Sequence, residues 1–150
     1  MINPFTMNEL ENNAGFFRFE DLRIYAKALE YAVWLHQTMA FTAGGFAPSS
    51  RDSFLSSANA IALQTAEGSS RNKSQFLYYM KLAKSSVREC VVYTELARRM
   101  DVFSPEDYDY SRNLLMELTK MIGSLISSIQ RSIGNLSSAE KDDADMDPLL

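Results

Sequence analysis

The stretch Ala66-Glu67-Gly68, followed by Arg71 and Lys73, sets an acid, a glycine and two cations between two apolar segments. Three chemistries could use such a corner. A phosphate cradle would need more glycine and a preceding strand. A general base at Glu67 would need a partner group to relay its proton, and none is evident nearby. A bend between two helices needs only a stop at Gly68 and a start at Asn72, and both are present. Glu67 then anchors the turn by accepting backbone or cation hydrogen bonds. Glu89 could face Glu67 as a second carboxylate, but a di-iron bundle wants acids on several helices and Glu-x-x-His repeats, which the chain lacks. His36 is the only histidine, so a multi-histidine metal site is excluded. Only Cys90 could pair with it, and a reactive Cys–His pair needs specific geometry. Cys90 lies between Val87 and Val91 and reads as a small core hydrophobe. The expectation is a protein that is not an enzyme, with no metal and no cofactor.

The elements that would position these residues follow from composition and periodicity. At 150 residues, 46% hydrophobic and 23% charged, the chain suits one globular domain with a real core. Six glycines and four prolines are too few for a loop-rich β sandwich. A single cysteine excludes an internal disulfide and suits a reducing cytoplasm, where the protein is expected to reside. The N-terminus lacks the basic start and apolar run of a signal peptide. No stretch approaches the roughly 18 apolar residues of a membrane span, so no membrane partner is expected.

Four helices can be read. Leu22, Tyr25, Ala26, Leu29, Ala32, Val33 and His36 recur at three- and four-residue steps, starting near Phe19 or Glu20. Gly44, Gly45 and Pro48 break that pattern, and Ser49 is placed to cap a second helix carrying Phe54, Leu55, Ala58, Ile61, Ala62, Thr65 and Ala66. Asn72 and Gln75 have capping-box spacing ahead of a third, through Phe76, Tyr79, Met80, Ala83, Val87, Cys90, Val91 and Ala97. Ser104-Pro105-Glu106-Asp107 starts a fourth, which carries Leu114, Leu115, Leu118, Met121, Ile122, Leu125, Ile126 and Ile129. Gly134-Asn135 is its expected stop. The pattern predicts an all-α, antiparallel up-down four-helix bundle over residues 18–135. Residues 1–17 are expected to be a flexible segment, and 136–150 an acidic disordered tail.

Charge is unevenly placed. The net charge of −4 resides in the tail, where Glu140, Asp142, Asp143, Asp145 and Asp147 face only Lys141. The middle is basic: Arg71, Lys73, Lys81, Lys84, Arg88, Arg98 and Arg99 stand against three acids, Glu67, Glu89 and Glu95. Two readings stay open for these cations, a solvated face or a surface for a polyanion such as RNA. The third helix also bears a second apolar stripe, Tyr78, Leu82, Tyr93, Leu96 and Met100, displaced around the helix from the first. It is either the edge of a wide core or a contact between subunits. Gly123 and Ser127, four apart on the fourth helix, suggest close helix packing.

Three segments carry a resemblance: Asp21-Leu22, Ala60-Ile61-Ala62-Leu63-Gln64-Thr65-Ala66-Glu67-Gly68, and Ala83-Lys84-Ser85-Ser86-Val87-Arg88-Glu89. Together they resemble the four helix bundle protein family, whose founding members are encoded in intervening sequences of large-subunit ribosomal RNA genes. A related branch is the accessory variability determinant of diversity-generating retroelements. In this chain Ser85 replaces a usual glycine, Gln64 a usual asparagine, and Leu55-Ser56 stand where relatives often carry an Arg-Arg pair. The resemblance implies a non-catalytic bundle, often a ring-shaped homopentamer, binding itself and either RNA or a reverse transcriptase. A structural assembly protein with a protein partner and no nucleic acid is the alternative.

Overall fold

The structure, a computed structural model, describes residues 16–42 and 45–145, of which 137–145 by backbone alone. The flexible segment expected over 1–17 therefore lies almost wholly outside the described residues. A short 3-10 turn, Arg18–Asp21, leads into α1 (Arg23–Ala40), α2 (Pro48–Ser69), α3 (Lys73–Arg99) and α4 (Pro105–Asp145). Each helix packs against its neighbours in the chain, and α1 also packs against α4. The diagonal pairs α1–α3 and α2–α4 bring no backbone positions into close contact among the described residues. Side-chain partners give the direction. Between α2 and α3, Phe54 stacks on Tyr93, Ser57 meets Glu89 and Gln64 meets Ser86. One number rises as the other falls, which is antiparallel packing. The same holds for α3 with α4, where Lys73 meets Ser132 and Thr94 meets Ser111. The expected up-down four-helix bundle is the observed architecture.

Local chemistry explains most helix ends. The Asn72 side chain accepts from the Gln75 amide at 2.9 Å, and Ser104 Oγ from the Asp107 amide at 3.1 Å. Both caps fall where the sequence placed them. Ser49 does not cap α2: Pro48 takes the first helical position with Ala47 before it, and proline lacks the N–H that a cap would satisfy. After α3 the chain turns through Asp101, at φ 57°, while the Val102 amide reaches back to Ala97 O at 2.8 Å. This is a Schellman-type close with an aspartate in the left-handed position. Gly45, at φ +89°, packs beneath the same loop, where a Cβ would overlap Val102 Cγ2.

The core holds Ile24, Tyr31, Leu35, Met39, Phe54, Ile61, Met80, Val87, Leu115, Leu118 and Ile122. Burying each of the larger ones is worth about 1.5–3 kcal/mol. On α2, α3 and α4 the buried stripe follows the expected one. On α1 it does not. The helix is turned about one residue's worth, roughly 100°, so that Ile24, Ala28, Tyr31, Leu35 and Met39 face inward. Leu29 and Val33, expected inside, are exposed. Both faces of α1 are apolar, so periodicity alone could not choose between them. The Tyr31 hydroxyl bonds Ser111 Oγ at 2.9 Å, and Ser111 lies 2.7 Å from Thr94 Oγ1. This fully buried polar chain joins α1, α4 and α3, and it leaves no described buried side-chain polar atom without a partner.

Two expectations about glycine are corrected. Gly134-Asn135 does not stop α4, which continues to Asp145. An interior glycine costs only about 1 kcal/mol, and no proline interrupts the helix before Pro148. The tail expected to be disordered from 136 is thus helical to 145, and residues 146–150 lie outside the described residues. Gly123 does not mediate close packing either: a Cβ there meets nothing within 4 Å.

Candidate functional site

The α2–α3 corner resolves first. Gly68 is buried within the last turn of α2 and takes no left-handed conformation. It is glycine because α3 passes close by: an added Cβ would lie 2.6 Å from Tyr79 Cβ and 3.1 Å from the Phe76 ring. Glu67 is exposed and grips Arg71, whose Nε lies 3.0 Å from Oε1 and whose guanidinium sits 5.9 Å from the Tyr79 ring. That pairing raises the Arg71 pKa, through the hydrogen bond first and the Glu67 charge second. Asn72 caps α3. The corner is a packed bend whose acid serves its own helix end.

The remaining acid, thiol and imidazole stay apart. Glu89 accepts from Ser57 Oγ at 2.8 Å, ten residues or roughly 15 Å along α3 from the Tyr79 level that Gly68 and Glu67 occupy. His36 Nε2 lies 3.0 Å from Asn59 Oδ1, bridging α1 to α2 on the surface. Cys90 is buried on α3, the helix diagonal to α1. Burial, and then the Glu89 charge, push its thiol pKa up, so the reactive thiolate is disfavoured. Among the described residues no group of three or more His, Cys, Asp or Glu could hold a metal ion.

The structure divides the seven candidate cations. Arg71 is tied to Glu67, and Lys73 contacts Ser132. Arg98 and Arg99 both hold Glu95, at 2.5 Å and 3.0 Å, and draw its carboxyl down to about 2. Hydrogen bonding to Arg98 is the larger cause and to Arg99 the next. Lys81, Lys84 and Arg88 have no acid within 4 Å among the described residues. Their spacing of three and four places them on one face, over about 10 Å of helix. Lys81 and Arg88 are exposed, and Lys84 is half-buried toward solvent's edge.

The second stripe is also divided. Tyr78, Leu96 and Met100 are exposed, and Leu82 is half-buried. Tyr93 leaves the stripe: it stacks on the buried Phe54 ring at 5.2 Å and serves as part of the core edge. Its position on the wheel borders both faces, and only the location of Phe54 decides which it joins. The sequence reading missed Arg112 and Lys120. Both lie on α4 without an acid partner among the described residues, and Arg112 shares a groove with Val91 and Leu96 of α3. No spacing within either helix could have shown this, because the groove forms where two helices pack.

No described helix is long and apolar enough to cross a membrane. The family model described as 23S rRNA-intervening sequence protein matches residues 20–124, from the 3-10 turn into the middle of α4. The fold is similar to the crystal structure of a protein of unknown function from the S23 ribosomal protein family of Bacteroides thetaiotaomicron VPI-5482. The two share 22% identity at a TM-score of 0.64, over 69% of this chain and 95% of that one. No curated protein matches the chain.

Proposed function

The chain belongs to the 23S rRNA-intervening sequence protein family, and from that premise we propose that it is a non-catalytic binding module. In this reading it assembles with itself through Tyr78, Leu82, Leu96 and Met100, as a pentamer by likeness to family rings. It offers Lys81, Lys84 and Arg88 to structured RNA. The observation that carries the RNA reading is the contrast among cations: four of seven are occupied within the fold, while these three project from one face uncompensated. Repeated around a ring, three phosphate contacts per subunit add up. Lysines on a helix side touch backbone rather than base edges, so little sequence preference is expected.

Filter binding of the full chain to a structured RNA hairpin tests this. Three contacts give a log–log salt slope of about −2.1 to −2.7, or roughly 20- to 40-fold between 50 and 200 mM salt. The double variant Lys84→Glu/Arg88→Glu should abolish retention and leave the elution volume unchanged. The exposed aromatic and aliphatic stripe favours a second reading, a structural assembly protein with a protein partner. A parent chain that retains no RNA at 50 mM salt puts that reading first.

A further inference from the structure

An open groove of about 410 Å³ runs between α3 and α4, lined by Val91, Val92, Leu96, Arg99 and Arg112. It continues past Met116 to Lys120. Val92 and Met116 are 59% and 49% exposed, so its floor is apolar and open to solvent. Its walls are cationic. Arg112 rests 5.7 Å from the Tyr108 ring, and neither it nor Lys120 has an acid within 4 Å among the described residues. Glu95, the one acid in the lining, is already held by Arg98 and Arg99, and that trio keeps one net positive charge.

An apolar floor between cations fits a segment that combines carboxylates with large apolar side chains. The chain itself carries such a segment: Asp142, Asp143, Asp145 and Asp147 stand beside Met146, Pro148, Leu149 and Leu150. We propose that the groove binds residues 142–150 of a second copy of this chain. Its own copy cannot reach. α4 is continuous to Asp145, and Lys120 lies 25 residues back along it and Arg112 33. At 1.5 Å per residue these are about 38 and 50 Å. The five residues after Asp145 extend at most about 18 Å. The contact is heterologous, tail of one subunit to groove of the next, and it generates a ring where the rotation closes. It stands independently of RNA binding. Because Leu96 borders both the groove and the self-association stripe, the test uses Val92, Arg112 and Lys120, which lie outside that stripe.

Two differently tagged full-length chains, one Val92→Cys and one Leu149→Cys, are mixed, oxidised mildly and resolved without reductant. Val92 is exposed, and circular dichroism checks that each variant folds. A cross-linked pair of mixed size is expected. Adding Arg112→Glu/Lys120→Glu to the Val92→Cys chain, or raising salt to about 0.5 M, should reduce the yield at least tenfold, since the attraction is screened. A labelled peptide of residues 140–150 should bind the full chain and lose at least tenfold in affinity with the same charge reversal. Mixed cross-linking no stronger than that of Val92→Cys with Ser128→Cys overturns the proposal. So does a chain carrying both cysteines that closes on itself as a monomer, because the reach argument forbids it. If the peptide fails to bind while RNA protects Val92→Cys from alkylation, RNA is the occupant and the proposal falls.

Discussion

Replacing Gly68 with alanine separates two explanations of the α2–α3 corner. If glycine stands there only to end a helix, alanine should be harmless or stabilising. Gly68 takes no left-handed conformation, and alanine in a helix interior is favoured over glycine by about 1 kcal/mol. The geometry predicts the opposite sign. The new methyl would lie 2.6 Å from Tyr79 Cβ, an atom fixed to the α3 backbone that cannot swing aside. The two helices would have to part, and overpacking of this kind costs about 1–3 kcal/mol. Setting the helix gain against the middle of that range leaves a loss of about 1 kcal/mol. For a chain of this length that lowers Tm by about 2–4 °C. Gly123→Ala is the internal control: it gains the same propensity, its Cβ meets nothing within 4 Å, and Tm should rise by about 2–3 °C. Thermal melts followed by circular dichroism at 222 nm on both variants read the difference directly. A Gly68→Ala protein as stable as Gly123→Ala would refute the close approach and return Gly68 to the role of a simple stop.

The proposed self-association through the second stripe predicts that Leu96→Glu, on an exposed site, dissociates the assembly without unfolding the subunit, because a carboxylate placed between subunits would lose its hydration; multi-angle light scattering reads this, and a monomeric parent protein would contradict it. Ser111→Ala should cost more than Tyr31→Phe, about 1–3 against about 1 kcal/mol. The serine loss leaves the buried Tyr31 hydroxyl only its weaker Thr94 partner, whereas Tyr31→Phe leaves Ser111 bonded to Thr94; equal urea midpoint shifts would contradict this. Glu95 has its pKa depressed from an ordinary 4.5 to about 2, so its contribution is fully present above pH 4.5 and is lost as pH falls through about 2. Carboxyl-carbon NMR should place its midpoint near 2 in the parent, rising toward 4.5 in Arg98→Ala/Arg99→Ala.

Helix number, helix order and two of the caps were legible in the residues, because each rests on local chemistry. Ser104 and Asn72 satisfy amides three residues on, and Pro105 can only begin a helix. The three- and four-residue steps of α2 and α4 set one apolar face against one polar face, which left a single way to bury them. The family motifs reached the same architecture from a different direction. Other features belong to the tertiary structure. α1 is apolar on two faces, so its rotation was settled by Tyr31 reaching Ser111 and Thr94, residues 80 and 63 positions away. Gly68 looked like punctuation, and only the passage of Tyr79 beside it made glycine obligatory. Charges that look alike in sequence became different in space: Glu67 holds Arg71 and Glu95 holds both Arg98 and Arg99, whereas Lys81, Lys84 and Arg88 have no acid within 4 Å among the described residues. Arg112 and Lys120 joined the α3 groove only when α4 packed against it. A chain specifies its helices through neighbours a turn apart, but which face is wet, and which charge is unanswered, depends on groups brought together from distant positions.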